Sequence, residues 1–596
     1  MANPTTGPMS HPAIDPAMLL PLASSVIPPD PQRFSAMQTG SQAPNAIVVD
    51  NDLGLRKEGR HGSRNKAALR SGTLFVCCFA SVLSVLTSLP YWIGQTTHIP
   101  GEVFTGLIEH SLDSNNYLAY EQQAASGQWV FRNPMTPEPH RAVFFNLEWL
   151  LIGKMSSVLR VSLTVATDIT RIIFVFVMCF GVYWLSADVL RSEVMRRIAL
   201  VATMAGGGFG WIVTVHLLGI KIDSSYFLDL TNANLFPFYW VLRLPHFLIS
   251  ETFVVLGLGF FLSGERRHKI LYYLGAGLCY LAAGSCRPYD MLFLMAATSV
   301  YLAYSFLRSR ENRRDIVWRS APVLMCLPLL AYYYWIFKIH PIFRWWSLPG
   351  NPAPPAWDLA WSFGPSLFLF LFAAWRLRRK DLGVGGWFLL GCLLTAIVLT
   401  HLHAQLHFAF QFATNILIPM VLLGLLGIED WIMDWRARRG VWADAGIVAV
   451  LFVNSLTSLA LTGQAVVLAR RGEYHTDAQT IEAYSWLEQH SQRGDVVLAD
   501  LELSNEIPRY TGDIVYCGYY NAVQFAQKNQ SLKKFFQPGA TDQFRQQIIE
   551  NNAVRFVLLT AEEQRTTPEI ASSPFLVKAF QNRSIAIFAV ASRTSP

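Results

Sequence analysis

The chain has 596 residues, of which 52% are hydrophobic, 13% aromatic and only 15% charged, whereas an average soluble domain is about a quarter charged. A soluble fold is excluded for most of it, and the net charge of +7 falls in short connectors between apolar runs, which reflects membrane orientation rather than affinity for nucleic acid. No basic stripe interleaved with aromatic residues is present, so no nucleic-acid partner is expected.

Residues 1–65, with Pro28, Pro29, Pro31 and many Ser, Ala and Asn, read as a disordered cytoplasmic tail. The first apolar run starts too far along the chain for a cleaved signal peptide. A transmembrane domain follows over 71–470. Runs long enough to cross a hydrocarbon core of about 30 Å predict eleven spans, at 72–93, 169–187, 198–218, 245–263, 270–286, 288–307, 320–338, 359–376, 384–401, 409–428 and 441–466.

Positive charge alternates between the connectors. With the N-terminus and its Arg56, Lys57, Arg60, Arg64, Lys66 and Arg70 inside, the inner connectors carry Arg191, Arg196 and Arg197, then Arg266, Arg267 and Lys269. Arg308, Arg310, Arg313, Arg314 and Arg319 follow, then Arg376, Arg378, Arg379 and Lys380, and then Arg436, Arg438 and Arg439. The outer connectors between these basic ones hold only Lys221 and Arg243, Arg287, Lys338 and Arg344. This is the bias expected when basic loops stay in the cytoplasm.

The parse requires that 142–159 not be a span. It contains Asn146, Glu148 and Lys154, so an interfacial helix costs less than a buried one. The first outer loop then covers 94–167 and is the longest. An odd number of crossings puts 472–596 outside too, where a helix at 477–490 alternates with β-branched runs at Val496–Ala499, Ile514–Tyr516, Val554–Leu559 and Ile585–Val590. These predict a small extracytoplasmic α/β domain. It lacks a glycine-rich phosphate loop, so no catalytic part is assigned to it. Seven of the eight cysteines lie in or beside apolar runs, with no ligand spacing or disulfide framework. The expected place is a cell membrane, of the bacterial inner or plasma type.

The first loop holds the densest polar signal. A helix from Ser114 to Ser126, ended by Gly127, would set Asn116, Tyr117 and Tyr120 on one face beside Asp113. Asp113 has two readings, as the N-cap of that helix or as a catalytic acid. Other outer positions converge on the same membrane face: Glu138 and His140, His246 after Pro245, the turn Arg287-Pro288-Tyr289-Asp290, and His401, His403 and His407. Arg287 and Asp290 either satisfy one another or meet substrate, since a charge at a span end must be paired or face a polar cavity. The three histidines are either a metal site for a divalent cation or solvated side chains. Trp345, Trp346, Trp357 and Trp361 read as an interfacial aromatic belt.

Asp113-Ser114-Asn115-Asn116-Tyr117-Leu118-Ala119-Tyr120, continuing through Gln123, Gly127 and Trp129 to Thr136-Pro137-Glu138-Pro139-His140 and Asn146, resembles the first outer loop of the GT-C superfamily of integral-membrane glycosyltransferases. That superfamily includes protein O-mannosyltransferases, aminoarabinose transferases and oligosaccharyltransferases. Leu244-Pro245-His246-Phe247, Arg287-Pro288-Tyr289-Asp290 and Phe410-Gln411-Phe412 with Ile418-Pro419 are similar to recurrent features of its uncharacterised bacterial members. Two departures stand out. Asp113 is followed by Ser114 where many members carry two adjacent acids, and the Trp-Trp-Asp-Tyr-Gly sequence of oligosaccharyltransferases is missing, which disfavours peptide Asn glycosylation.

The resemblance implies a sugar donor on a polyprenyl phosphate and a glycan, lipid or protein acceptor. Asp113 would be the general base of an inverting transfer. Arg287 and His246 would support the leaving phosphate, with Arg132, Arg141, His401 and His403 in reserve, and Glu138 and His140 would position the acceptor, near Tyr117 and Asp290. The rival expectations are a transporter or flippase, which would show repeats and broken helices, and a non-catalytic envelope assembly protein.

Overall fold

Backbone is described for residues 52–108, 111–213, 227–232, 235–308, 315–346, 353–403, 406 and 408–591 of the computed structural model, with side chains from Arg70 on, Ser111 excepted. Most of the expected tail lies outside these residues, but the first helix already starts at Asp52. Its apolar part, Arg70–Thr96 (α1), is long enough to span a membrane.

The first outer loop folds around two helices, α2 (Ser111–Ala125) and α3 (Leu147–Leu159). The helix α2 starts ahead of the expected Ser114, which places Asp113 inside its first turn rather than at its cap. The α3 helix falls in the 142–159 run expected to lie at the interface, and with 13 residues it is too short to span. Asn146 caps it by accepting the Trp149 N–H at 3.1 Å, while its Nδ2 donates to the Cys286 carbonyl at 2.9 Å. The two helices touch backbone to backbone at Gly153, where a Cβ would lie 2.3 Å from the Glu121 carbonyl.

There follow α4 (Leu163–Ala187), α5 (Glu193–Met204), α6 (Leu228–Thr231), α7 (Pro237–Arg243), α8 (Pro245–Arg267), α9 (Ile270–Cys286), α10 (Pro288–Arg308), α11 (Ile316–Tyr334), α12 (Ala356–Leu377), α13 (Gly383–His401), α14 (Leu417–Arg439), α15 (Val441–Asn454) and α16 (Leu456–Arg470). Among the described residues eight helices are long and apolar enough to cross a membrane, nine if the bent pair α15–α16 is one span. Two of the eleven expected runs are met by shorter helices, α9 with 17 residues and α5 with 12. Part of the second run, 214–218, lies outside the described residues.

The break after α5 has a physical partner. Gly206–Gly208 leaves the helix and docks into the 46° bend of α15–α16. There Gly207 N–H donates to the Asn454 carbonyl (2.7 Å), Asn454 Nδ2 to the Ala202 carbonyl (3.3 Å), and the Thr457 and Ser458 hydroxyls to the Gly208 and Gly206 carbonyls (3.1 and 3.2 Å). Asp229 accepts the N–H groups of Gly208 and Gly210, both at 2.9 Å. Non-helical backbone survives among apolar helices only when its polar groups are satisfied in this way.

The basic connectors meet at one end of the bundle. Arg191 and Lys380 share Asp430 at 2.6 and 2.8 Å, and Arg266 pairs with Asp188 at 3.0 Å. Arg319 differs from the expectation of a loop charge, because it is buried and holds Glu265 with two bonds of 2.7 and 2.6 Å.

The chain beyond α16 forms α17 (Ala478–His490), α18 (Leu501–Thr511), α19 (Phe525–Phe535), α20 (Asp542–Asn551) and two sheets. Strand β1 (Glu102–Phe104) of the first loop pairs antiparallel with β2 (His475–Asp477). The main sheet has the order β4-β3-β5-β7-β6, with β3 (Val496–Leu498), β4 (Ile514–Val515) and β5 (Val554–Thr560) parallel and β6 (Leu576–Gln581) and β7 (Ile585–Val590) antiparallel. Four of these strands match the expected β-branched runs. The fifth, β6, is an edge strand whose exposure does not alternate.

Candidate functional site

The helix α2 lies between the bundle and the C-terminal sheet domain, with α3 on one side and α18 on the other. Its first turns present Asp113, Ser114 and Tyr117 where α7 passes into α8. At that junction Pro245 occupies the first turn of α8, where its missing N–H costs nothing, and His246 follows. His246 Nδ1 lies 2.5 Å from Glu148 Oε2 of α3, and its ring packs 4.8 Å from that of Tyr117. Tyr117 also stacks on Trp149 at 5.7 Å, and Trp149 on Tyr120 at 4.3 Å. Burial, reinforced by the carboxylates of Asp113 and Glu148, drives the Tyr117 phenol well above its ordinary pKa, so it stays protonated.

A cleft opens here, lined among others by Ser114, Tyr117, Glu121, Glu148, Arg243 and His246. Its wall is braced by Arg171 of α4, which is buried, donates to Thr87 and Ser88 of α1 at 3.1 and 3.0 Å and stands over the Tyr91 ring. Burial also holds the Glu121 carboxyl well above the usual carboxylate range, with the nearby Glu148 adding to the effect.

Arg287 and Asp290 do pair, at 3.2 Å. Arg287 is buried, reaches Gln411 Oε1 at 2.9 Å, lies 3.6 Å from Glu251 and stacks on Phe247 at 3.9 Å. Asp290 accepts the Ser250 hydroxyl at 2.5 Å. The tight turn at Pro288 brings the two charges to the i,i+3 spacing of one helix turn, and Glu251 and Gln411 complete a cluster the sequence shows only in pieces.

Glu138 and His140 serve the seam between the first loop and the C-terminal domain. Glu138 holds Lys528 of α19 at 2.5 Å and accepts the Thr136 hydroxyl, which itself receives Lys528 at 3.0 Å. His140 Nε2 accepts the Asn133 N–H at 2.9 Å, so Nδ1 carries the proton and donates to the Glu138 carbonyl at 2.7 Å. Burial lowers the His140 pKa, in keeping with this neutral tautomer.

The same seam continues along α2. Asn115 Oδ1 receives Arg509 at 2.6 Å and its Nδ2 donates to Asn505 at 3.0 Å, while Asn116 Oδ1 accepts Asn521 Nδ2 at 3.1 Å. No catalytic part was expected of the C-terminal domain, yet this domain brings Tyr520 into the electrostatic neighbourhood of Asp113, Tyr117 and Tyr289. Burial, then Asp113, raises the Tyr520 pKa, so the phenol stays protonated.

His401 and His403 are exposed at the end of α13, and His401 Nδ1 turns back to its own helix at the Ile397 carbonyl, 2.9 Å away. His407 lies outside the described residues. Among the described residues no group of three His, Cys, Asp or Glu side chains is disposed to hold a metal ion, Asp113 included.

The fold has counterparts among solved structures. The chain superposes on the apo oligosaccharyltransferase of Archaeoglobus fulgidus with a TM-score of 0.53 at 13% identity, over 88% of this chain and 75% of the other. The fold is that of the GT-C glycosyltransferases. Within that fold it also matches the oligosaccharyltransferase AglB of Archaeoglobus fulgidus in complex with an inhibitory peptide and a dolichol-phosphate, with a TM-score of 0.50 at 10% identity over 86% of this chain and 74% of the other. A third match is the arabinofuranosyltransferase AftD from Mycobacteria, with a TM-score of 0.52 at 13% identity over 86% of this chain and 42% of the other. Comparison with protein-family models gave no match, and neither did comparison with curated sequences. With its apolar helices, the GT-C fold makes this a multi-pass membrane protein.

Glu148, Arg243, Glu251, Gln411 and Tyr520 complete the site beyond the residues singled out in the sequence. Three of them were visible in the sequence for other reasons, Glu148 as a charge in an apolar segment, Gln411 within Phe410-Gln411-Phe412 and Arg243 as one of the few charges of the later outer connectors, whereas Glu251 and Tyr520 carried no signal.

Proposed function

We propose that the chain is a membrane glycosyltransferase that moves a sugar from a polyprenyl phosphate to an acceptor hydroxyl on the extracytoplasmic face, with inversion and with Asp113 as general base. The observation that carries this is the placement of Asp113. It stands in the first turn of α2, next to Ser114 and Tyr117 of the cleft, at the end of the bundle opposite the basic connectors. The two ends of α8, His246 and Arg267, mark the separation, about 32 Å at about 1.5 Å per residue along the helix between them. That is roughly one hydrocarbon core. A donor phosphate at headgroup level therefore meets the cleft, and AglB, of the same fold, is seen with dolichol-phosphate.

In this reading the acceptor oxygen attacks the anomeric carbon while its proton passes to the Asp113 carboxylate. The bond from that carbon to the phosphate oxygen breaks, and the phosphate leaves with the electron pair. Arg243 and His246, both lining the cleft, stabilise the departing charge. Tyr117 walls the cleft beside them. Arg287 acts from behind as a positioning group, held by Asp290, Glu251 and Gln411. Glu138 and His140 fix the first loop on the C-terminal domain. The N-terminus and basic connectors are cytoplasmic, and the C-terminal domain is outside.

Cells lacking the protein will accumulate its polyprenyl-phosphate sugar, measurable by mass spectrometry. Wild type drains that pool, and Asp113→Asn at equal membrane abundance leaves it. A pool drained by Asp113→Asn removes Asp113 from the mechanism.

A further inference from the structure

Four side chains of α2, Ser114, Tyr117, Leu118 and Glu121, line the cleft at the spacing of one helix face. Glu121 lies about 10 Å beyond Ser114 along the axis, at about 1.5 Å per residue. At that end the cleft is walled by α4, which contributes Thr164, Thr167 and Asp168. The first loop closes down on this wall at Gly106, whose φ of +76° suits glycine and whose Cβ would lie 2.7 Å from Thr164 Cγ2. Neither the leaving phosphate nor the general base calls on Glu121 or on α4.

Glu121 is 3% exposed, and among the described residues Thr167 is the one side chain in hydrogen-bond reach of it, 3.4 Å from Oε2. The Thr167 hydroxyl has a single proton to give, and the Leu163 carbonyl is nearer to it, at 2.9 Å. No described residue bonds Glu121 Oε1. Asp168 accepts Arg171 Nε on Oδ1 at 3.2 Å, and its Oδ2 has no partner among the described residues either. A buried carboxyl short of donors is costly, and both of these line the cleft, where a ligand can supply them. Charge also divides the cleft. Arg243 and His246 stand at the junction of α7 and α8, and Glu148 is engaged there by His246 at 2.5 Å. Arg171, the cation beside the acid end, is committed to Asp168, Thr87 and Ser88. A phosphate is therefore drawn to the junction and repelled from Glu121 and Asp168. What fills the acid end brings hydroxyl donors and no negative charge.

We propose that Glu121, Thr167 and Asp168 form the subsite for the transferred sugar, binding ring hydroxyls remote from the anomeric carbon, and that this sugar bears no acid group. The inference rests on the transferase reading. With the phosphate at Arg243 and His246 and the acceptor at Asp113, the anomeric carbon lies between them and the ring extends along α2 toward Glu121. Each carboxylate oxygen accepts from a hydroxyl and offers no donor, so the subsite recognises hydroxyl-bearing faces. Holding the far side of the ring orients its reacting carbon for attack. A uronic acid or a phosphorylated sugar would set a second anion against the two acids, and such a donor is rejected.

The test compares two probes on the purified full-length protein: the polyprenyl-phosphate sugar extracted from cells that lack it, and polyprenyl phosphate carrying no sugar. Mass spectrometry of the extracted donor should show a neutral or amino-bearing sugar; an acidic one overturns the proposal. Glu121→Ala and Asp168→Asn are each expected to bind the sugar-bearing donor about ten- to hundredfold more weakly than wild type, the loss of a hydrogen bond to a charged group. Both should bind the sugarless lipid as wild type does. Glu121→Gln, of the same shape, replaces Glu121→Ala in this comparison if the smaller side chain lowers the melting temperature. Wild-type affinity for the sugar-bearing donor in these variants overturns the subsite. So does an equal weakening for both probes, since the acids would then serve the phosphate or the lipid chain. If no lipid-linked sugar accumulates in cells lacking the protein, the transferase reading itself fails and the subsite falls with it.

Discussion

His246 and Glu148, 98 positions apart in sequence, face each other across 2.5 Å at the cleft wall. Glu148 orients the imidazole through Nδ1, so His246→Ala removes a charge-stabilising group outright and Glu148→Gln only loosens it. Losing one such group costs about a hundred- to thousandfold in rate. We expect His246→Ala to fall in that range for transfer in proteoliposomes, and Glu148→Gln to fall in the same direction by less. Wild-type rates in both variants would detach the pair from the leaving phosphate. The sequence made His246 legible because a proline and a histidine open a span on a sparsely charged face. Glu148 was equally visible as a carboxylate in an apolar segment, but read only as a reason not to bury that segment. Its partner comes from another helix, and no local period reports such a pairing. Arg287 and Asp290 could be paired from sequence because three residues bring side chains onto one helix face. For Asp113 the sequence left cap and acid both open; the helix start at Ser111 bears only on the cap reading, which it removes.

Helices and strands show the same division between local and distant information. The β-branched runs marked β3, β4, β5 and β7, while β6 escaped because an exposed edge strand needs no alternation, and β1 and β2 because three residues carry no period. The run expected to span at 198–218 gives way at Gly206 because α15–α16 offers the broken end its hydrogen-bond partners. Broken helices are what a transporter would show, but here the described polar groups at the break largely satisfy one another. In the C-terminal domain, Asp513 is buried with its carboxylate on the Ser491 hydroxyl at 2.8 Å, and burial pushes its pKa up from 3.8 to about 7. An aspartate with a raised folded pKa binds its proton more tightly when native. The stability this gives is complete below the unfolded value and lost as pH rises through the folded one. Asp513→Asn keeps the shape without the charge, and should raise the melting temperature of the domain at pH 8, by a contribution on the order of 3 kcal/mol. The gain should shrink toward pH 4. A difference independent of pH in scanning fluorimetry would show that Asp513 does not titrate this way.

At the scale of the whole molecule, two populations of polar groups occupy opposite ends of one apolar bundle. Arg191, Arg266 and Lys380 meet acids at one end, and Asp113, His246 and Arg287 gather with the C-terminal domain at the other. The alternation of basic connectors was readable because insertion sorts charge by loop, whatever the helices later do. What it could not supply was the seam, since Asn115, Asn116 and Glu138 find partners nearly four hundred positions away. The central claim is that the reaction centre faces away from the cytoplasm. Its most direct test is labelling of intact cells with a membrane-impermeant maleimide, in a background where the exposed Cys78 is replaced by serine. Single cysteines replace the exposed Gln128 near the end of α2, Glu488 in the C-terminal domain and Arg438 in the last basic connector. The account predicts that Gln128→Cys and Glu488→Cys are labelled on intact cells and Arg438→Cys only after permeabilisation; the reverse pattern would contradict it.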